Sequence, residues 1–101
     1  MAQTVRFIKV YEFADYAVVE WDSNGHYKYV ACWCPRVYSG FDDTWIKPTT
    51  ASEGVERQAY WGQGHYFQNE EDALAYAKEE EREAVEYRIE DLKDYLSRLE
   101  V

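Results

Sequence analysis

Two cysteines and two histidines have the most distinctive chemistry in this chain. Cys32 and Cys34 flank Trp33, and on a strand this spacing places both sulfur atoms on one face. With His26 and His65 they form a Cys2His2 set, whose ligand types zinc prefers. Structural zinc sites space their cysteines and their histidines more widely within each pair, so the match is poor. We therefore expect two reduced thiols, no metal and no cofactor.

Motifs of catalysis are weak. Asp42 and Asp43 are neighbours in a loop, and pairs of this kind occur in any acidic chain. The segment Gly62-Gln63-Gly64 lacks the further glycine and the lysine of a phosphate-binding loop. No Gly-x-Ser-x-Gly elbow surrounds a serine. The sequence predicts a protein that is not an enzyme.

Acidic side chains are concentrated towards the C-terminal end. The chain has a formal charge of −9, and the segment from Glu70 to Val101 holds 12 acids and 5 bases, a net of −7. This charge disfavours direct binding to nucleic acid or to an anionic membrane. It favours a basic partner, although acidity also serves to keep a small protein in solution.

We predict that one face of the acidic segment binds a basic protein or nucleoprotein complex. Carboxylates at helical spacing imitate the regular charge of a phosphate backbone, while a solvated helix face fits the same pattern. The predicted contacts on this face are Glu79, Glu83, Glu86, Glu90 and Asp94. Asp42, Asp43 and Trp45 in the preceding loop would add charge and an aromatic anchor.

The elements that must position these residues are strands followed by one helix. Alternating apolar and polar residues predict strands at 4–13, 16–21, 27–33 and 55–61, and residues 65–67 can continue the last of them. Asn24-Gly25 predicts a hairpin turn, because both residues tolerate positive φ. We expect one α+β domain over 1–101, with an antiparallel sheet of about four strands in 1–69 and a long C-terminal helix in 70–101.

The segment 36–56 is predicted to be a long loop, because Gly, Pro, Asp, Ser and Thr are frequent in it. Phe41, Trp45 and Ile46 interrupt this polar composition. They either pin the loop onto the core, which we favour, or are displayed to a partner.

The helix is predicted to begin after Asn69, a good N-cap, and no Gly or Pro follows. Its second half carries apolar residues at alternating spacings of four and three, here called the seam: Val85, Ile89, Leu92, Leu96 and Leu99. We expect the seam to cover the chain's own sheet. Two alternatives are an overhanging helix that forms an antiparallel homodimer, and a helical hairpin broken near 79–83.

A parallel homodimer is disfavoured by charge. In that arrangement Arg88 would face Lys93 of the second copy, and Glu81 would face Glu86. Both pairs are repulsive, so only the antiparallel pair remains as a dimer of this helix.

An aromatic-rich pattern spans about a third of the chain and consists of Tyr16 to Glu20, Asn24-Gly25, Tyr29 to Trp33 and Thr44-Trp45. By this pattern, that part of the chain resembles a chromodomain. The resemblance implies an aromatic-cage reader of a methylated cationic ligand. By it, Tyr16 and Trp33 would be two cage aromatics that hold the ammonium group through cation–π contacts.

In size, acidity, short antiparallel sheet and Glu-rich helix, the whole chain resembles small acidic phage-encoded inhibitors, of which anti-CRISPR proteins are the best known. That resemblance implies a stoichiometric blocker of a Lys/Arg-lined nucleic-acid channel in a host defence complex. A small structural or dimerisation protein is a further alternative. No signal peptide or membrane-spanning run is visible, so we expect a cytoplasmic protein, in the host cytoplasm if phage-encoded.

Overall fold

The computed structural model describes residues 2–22 and 28–100. These residues form an antiparallel sheet of seven strands, which is followed by one long helix. The strands are β1 (Gln3–Tyr11), β2 (Tyr16–Glu20), β3 (Tyr29–Trp33), β4 (Arg36–Tyr38), β5 (Trp45–Ile46), β6 (Glu56–Tyr60) and β7 (Gln63–Phe67). Helix α1 spans Glu70–Leu99, and a 3-10 turn spans Thr50–Ser52. The predicted α+β class is confirmed, but the predicted number of about four strands is wrong.

A sharp corner in two long strands accounts for much of the difference. Trp33 lies opposite Gln63 in the β3–β7 pair, and Arg36 lies opposite Tyr60 in the β4–β6 pair. Trp33 and Arg36 are three residues apart, and so are Tyr60 and Gln63, so the register of the two paired strands is unchanged across the corner. Strands β3 and β4 are therefore two parts of one bent strand, as are β6 and β7. The remaining extra strand, β5, is a two-residue pairing with β4.

The corner forms at Cys34 and Pro35, as expected from a proline that cannot donate to the ladder. Cys34 adopts φ 54°, a left-handed conformation that turns the chain sharply. Its amide donates to the carbonyl of Asp15 at 2.8 Å, and the Gly62 amide donates to the carbonyl of Trp33 at 2.9 Å. These bonds replace the ladder contacts that the bend interrupts.

The bent strands roll the sheet onto itself. Strand β6 pairs with both β4 and β1. From β1 the pairing continues to β2 and from β2 to β3. Because β3 continues along the chain into β4, the sheet closes on itself. The interior of this roll is apolar and fully or almost fully buried. It contains Val5, Phe7, Val10, Ala17, Val19, Val30, Cys32, Val37 and Ala59. Small and β-branched side chains predominate because they fit a strongly curved sheet.

Helix α1 packs on the outer face of the roll, against β1, β2, β3 and β7. Ala73 and Ala77 are fully buried there against Val18 and Ala31. The helix begins as predicted, because the Asn69 side chain accepts a hydrogen bond from the backbone amide of Asp72 at 2.9 Å. Alanine at the contact lets the helix backbone lie close to the sheet.

The helix is continuous through 79–83, so the helical-hairpin alternative is wrong. Arg82 pairs with Glu79 and Glu86 along this charged stretch, which supports the helical turns. The expectation that the seam covers the sheet is also wrong. Val85 is half-buried, and every described residue from 86 to 100 is exposed, because the helix outruns the sheet.

The overhang gives the molecule an elongated outline of 58 × 35 × 21 Å. At 1.5 Å per residue, the exposed turns after Val85 extend about 20 Å beyond the sheet. Among the described residues, no helix has the length and apolar character needed to cross a bilayer.

The segment 36–56 is more ordered than a loop. It contains β4, β5 and the 3-10 turn, which Thr49 caps in a capping box with Ser52. Trp45 packs edge-on against Tyr60, with ring centroids 4.8 Å apart, and against Tyr38 at 5.5 Å. These contacts lie at the surface: Trp45, Ile46 and Phe41 are 36%, 48% and 91% exposed, so the expectation that they pin the segment onto the core is wrong. Strands β2 and β3 pair as predicted, while Asn24, Gly25 and His26 lie outside the described residues.

Candidate binding surface

The five predicted helix carboxylates lie on one side of α1, here called the acidic face: Glu79, Glu83, Glu86, Glu90 and Asp94. Glu86 follows the buried Ala77 by nine residues, which is about half a revolution around the helix axis. The acidic face therefore points away from the sheet. All five residues are exposed.

Arginines neutralise part of this face. Arg82 forms ion pairs with Glu79 and Glu86, and these raise the pKa of its guanidinium. The hydrogen bond from Arg82 lowers the pKa of Glu79. Asp94 pairs with Arg98 at 3.5 Å, as its spacing in sequence predicts. Three of the five predicted contacts are thus engaged with a cation on their own helix.

The side chains of Glu83 and Glu90 have no ion pair or hydrogen bond with any residue that the structure describes. Between Glu79 and Asp94 the helix carries eight acidic and three basic residues, a net of −5. A coherent negative strip therefore persists on a helix that packs on the sheet at one end and projects from it at the other. Such a strip raises the local concentration of cations and speeds the approach of a basic partner.

A cleft of about 400 Å³ lies at the base of this strip, where α1 crosses the turn between β1 and β2. Four aromatic side chains and two carboxylates line it, together here called the aromatic cleft. They are Phe13, Tyr16, Trp33, Tyr87, Glu80 and Glu83. Ring faces and carboxylates both attract cations, so the cleft suits a positively charged group.

The structure brings together the two aromatics that the chromodomain resemblance singled out. Tyr16 and Trp33 are direct partners across the β2–β3 pair, and both line the aromatic cleft. Tyr16 is almost buried and packs against Tyr76 at 6.1 Å. Burial and the neighbouring Tyr76 and Glu80 raise the pKa of Tyr16 to about 12, so it stays neutral. Trp33 is exposed.

The other cleft residues escaped the sequence reasoning. Glu80, Phe13 and Tyr87 come from two distant segments, and their meeting depends on where α1 crosses the sheet. The amide of Ala14 donates to Glu81 at 2.8 Å and fixes that crossing. Helical spacing places Glu80, Glu83 and Tyr87 on one side of α1, but it cannot show what that side faces.

The predicted loop contacts lie elsewhere. Asp42, Asp43 and Trp45 belong to the β4–β5 hairpin, and α1 contacts neither of these strands. Asp43 accepts a hydrogen bond from the Tyr38 hydroxyl. The acidic face and the hairpin are therefore separate surfaces, and a single small partner site does not include both.

The two thiols do not share a strand face, contrary to expectation. Cys32 lies inside the roll, and burial raises the pKa of its thiol well above the ordinary value. Cys34 lies past the end of β3, at the corner. His65 is engaged with the Tyr76 hydroxyl at 3.0 Å. Among the described residues, no cluster of three or more His, Cys, Asp or Glu side chains has an arrangement suited to a metal ion.

Asp15 has a structural role at the corner. Burial opposes its charge, but hydrogen bonds from Arg36 and Cys34 and the charges of Arg36 and Lys47 outweigh that cost, so its pKa lies below the ordinary value. Its carboxylate contacts Arg36 at 3.2 Å and Lys47 at 3.9 Å. The residue ties the β1–β2 turn to β4 and to the segment after β5.

Comparisons of the chain with protein-family models, with curated proteins and with solved structures give no match.

Proposed function

We propose that this chain is a non-enzymatic binding protein whose acidic face docks on a basic, nucleic-acid-binding protein or complex and blocks it. The small phage-encoded inhibitors that it resembles in character act in this way. The observation that carries the proposal is the exposed pair Glu83 and Glu90, which have no ion pair with the described residues and lie on one continuous helix.

The helical order of α1 supports the proposal. A continuous helix that is anchored on the sheet by Ala73 and Ala77 sets its carboxylates at helical spacing before contact, which lowers the ordering cost of binding. Their spacing along the axis suits a groove lined by Lys and Arg, which otherwise holds phosphates. The ion pairs of Arg82 and Arg98 are exposed, so they contribute little free energy, and contacts with a partner can replace them at low cost.

Charge reversal tests the proposal. Replacing Glu83 and Glu90 by Lys should weaken binding of a labelled nona-arginine peptide, a probe for a basic groove, by about tenfold at low salt. The reason is that two attractive charges become repulsive at the centre of the acidic face. Fluorescence anisotropy measures the dissociation constant.

The matched control reverses two exposed acids away from the acidic face, Asp22→Lys with Glu56→Lys. This variant has the same net charge as the first. It should change the dissociation constant by less than about twofold, since Glu56 lies on β6, which α1 does not contact, and Asp22 lies past the end of β2. Equal losses in the two variants would show that net charge alone attracts the peptide, and the acidic face would have no special role.

The aromatic cleft favours a second function, recognition of a methylated ammonium group. Three of its four rings are exposed (Phe13, Trp33 and Tyr87), and Glu80 and Glu83 supply negative charge beside them. A quaternary ammonium loses little hydration on entering such a cleft and gains contact with several ring faces.

Methylation separates this function from the first, because it leaves the charge of a lysine unchanged. A peptide with trimethyl-lysine should bind at least about tenfold more tightly than its unmodified form, and Trp33→Ala should abolish that difference. Trp45→Ala, on the separate hairpin, is the control and should preserve it. Isothermal titration gives the affinities, and equal affinity of the wild type for both peptides rejects the cage.

A further inference from the structure

The overhanging half of α1 exposes an apolar stripe that the monomer leaves uncovered. Ile89, Leu92, Leu96 and Leu99 are 45%, 53%, 56% and 64% exposed. They continue the line of the half-buried Val85, at the spacing by which two helices interlock. Isolated exposed leucines are ordinary, but a regular stripe of this kind marks an interaction surface.

We infer that the stripe binds the same stripe of a second copy of this chain, with the two helices antiparallel. The structure already excludes its use within the monomer, because the sheet ends near Val85 while the stripe runs on to Leu99. The inference does not rest on the proposed function.

Charge complementarity selects the second copy and its direction. In the antiparallel register that sets Ile89 against Leu92 of the second copy, Val85 meets the second copy's Leu96. In an antiparallel pair, a residue on one flank of the seam faces a residue at the equivalent heptad position of the second helix. Glu86 therefore lies beside Lys93 of the second copy, and the symmetry of the pair repeats this attraction.

The other flank of the seam is also favourable. Arg88 lies beside Tyr95 of the second copy, where a guanidinium can stack on the ring, again twice by symmetry. Tyr95 already has a guanidinium near its ring in the monomer, with Arg98 at 5.8 Å. The parallel arrangement sets like charges together on the same flanks.

The fold leaves room for this pair. In the stated register, residues before Arg82 of one copy fall beyond Leu99 of the other. The two sheets therefore sit at opposite ends of the paired helices and do not meet there. Glu83 precedes Leu92 by nine residues, and Glu90 precedes Leu99 by nine, which is about half a revolution in each case. These two carboxylates therefore stay exposed in both copies, whereas Glu86 flanks the seam.

Analytical ultracentrifugation tests the pair. Because the seam is only about two heptads long, we expect a reversible dimer with a dissociation constant on the order of tens of micromolar. Ile89→Asp should lower the association constant by at least about tenfold, since it places a charge in the seam. Ser97→Asp, at an exposed position off the seam, is the control of equal charge and should leave association unchanged.

Charge exchange tests the direction of the helices. Glu86→Lys should weaken the dimer, and the double variant Glu86→Lys with Lys93→Glu should restore it, because those two residues face each other only in the antiparallel pair. A wild-type chain that stays monomeric up to about 1 mM overturns the inference. So does a dimer that Ile89→Asp leaves intact, or one that the double variant fails to restore.

Discussion

Replacing Phe7 by Ala should cost about 3–5 kcal/mol of the free energy of unfolding. Phe7 is the largest fully buried side chain inside the rolled sheet, and it lies opposite Val19 on the neighbouring strand. The roll is closed by backbone pairing, so it cannot collapse readily around the lost ring. A chain of this size has about 5–15 kcal/mol in total, so the variant should lose a large share of its stability.

Urea unfolding measures the loss as a lower midpoint at an unchanged slope. Phe41→Ala is the matched control, because Phe41 is 91% exposed and should change the free energy by less than about 0.5 kcal/mol. Similar losses for the two variants would mean that Phe7 does not lie in a closed interior.

Ala77→Leu should destabilise the chain by about 1–3 kcal/mol, because the larger side chain has no space between α1 and the sheet. Ala77 is fully buried in the cluster that includes Val18 and Ala31. The added isopropyl group must push the helix away from the sheet. Since that contact also sets the direction of the acidic face, the variant should bind the nona-arginine peptide less tightly as well.

Ala75→Leu is the control within the same helix. Ala75 is exposed, and leucine is almost as good a helix former as alanine, so this variant should keep the unfolding free energy within about 0.5 kcal/mol. Thermal and urea unfolding of both variants gives the comparison. A greater loss of unfolding free energy for Ala75→Leu than for Ala77→Leu would mean that the Ala75 side of α1, and not the Ala77 side, contacts the sheet.

Local patterns in the sequence predicted the elements that depend on local physics. Strands β1, β2 and β3 lie close to the predicted positions, although only β1 alternates between buried and exposed residues, and the side chain of Asn69 caps α1. Strands β4 and β5 escaped prediction because they have three and two residues, and their pairing comes from the distant β6 and from each other. The left-handed conformation of Cys34 is not a property of cysteine and follows only from the closed sheet.

The candidate surface was predictable to a similar extent. Helical spacing placed Glu83 and Glu90 on one face, and the Asp94–Arg98 pair followed from the same rule. The prediction that the seam covers the sheet was wrong, because a heptad pattern has the same form whether the chain's own sheet or another molecule covers it. The aromatic cleft could not be predicted, since it exists only where α1 crosses the β1–β2 turn.

Glu83 and Glu90 lie on the side of α1 away from the seam, and only Glu86 of the acidic face flanks the seam, so the two proposed roles are compatible. In the antiparallel pair, Glu83 and Glu90 of both copies remain exposed. A dimer would then present two negative strips, which would raise the avidity for an extended basic groove.

The most direct test of the central claim is an assigned amide NMR titration of the wild-type chain with the nona-arginine peptide. We predict that the shifted amides cluster on α1 between Glu79 and Asp94, together with the residues that line the aromatic cleft. Shifts confined to the β4–β5 hairpin around Asp42 and Asp43, or spread evenly over the acidic residues of the chain, would contradict the claim.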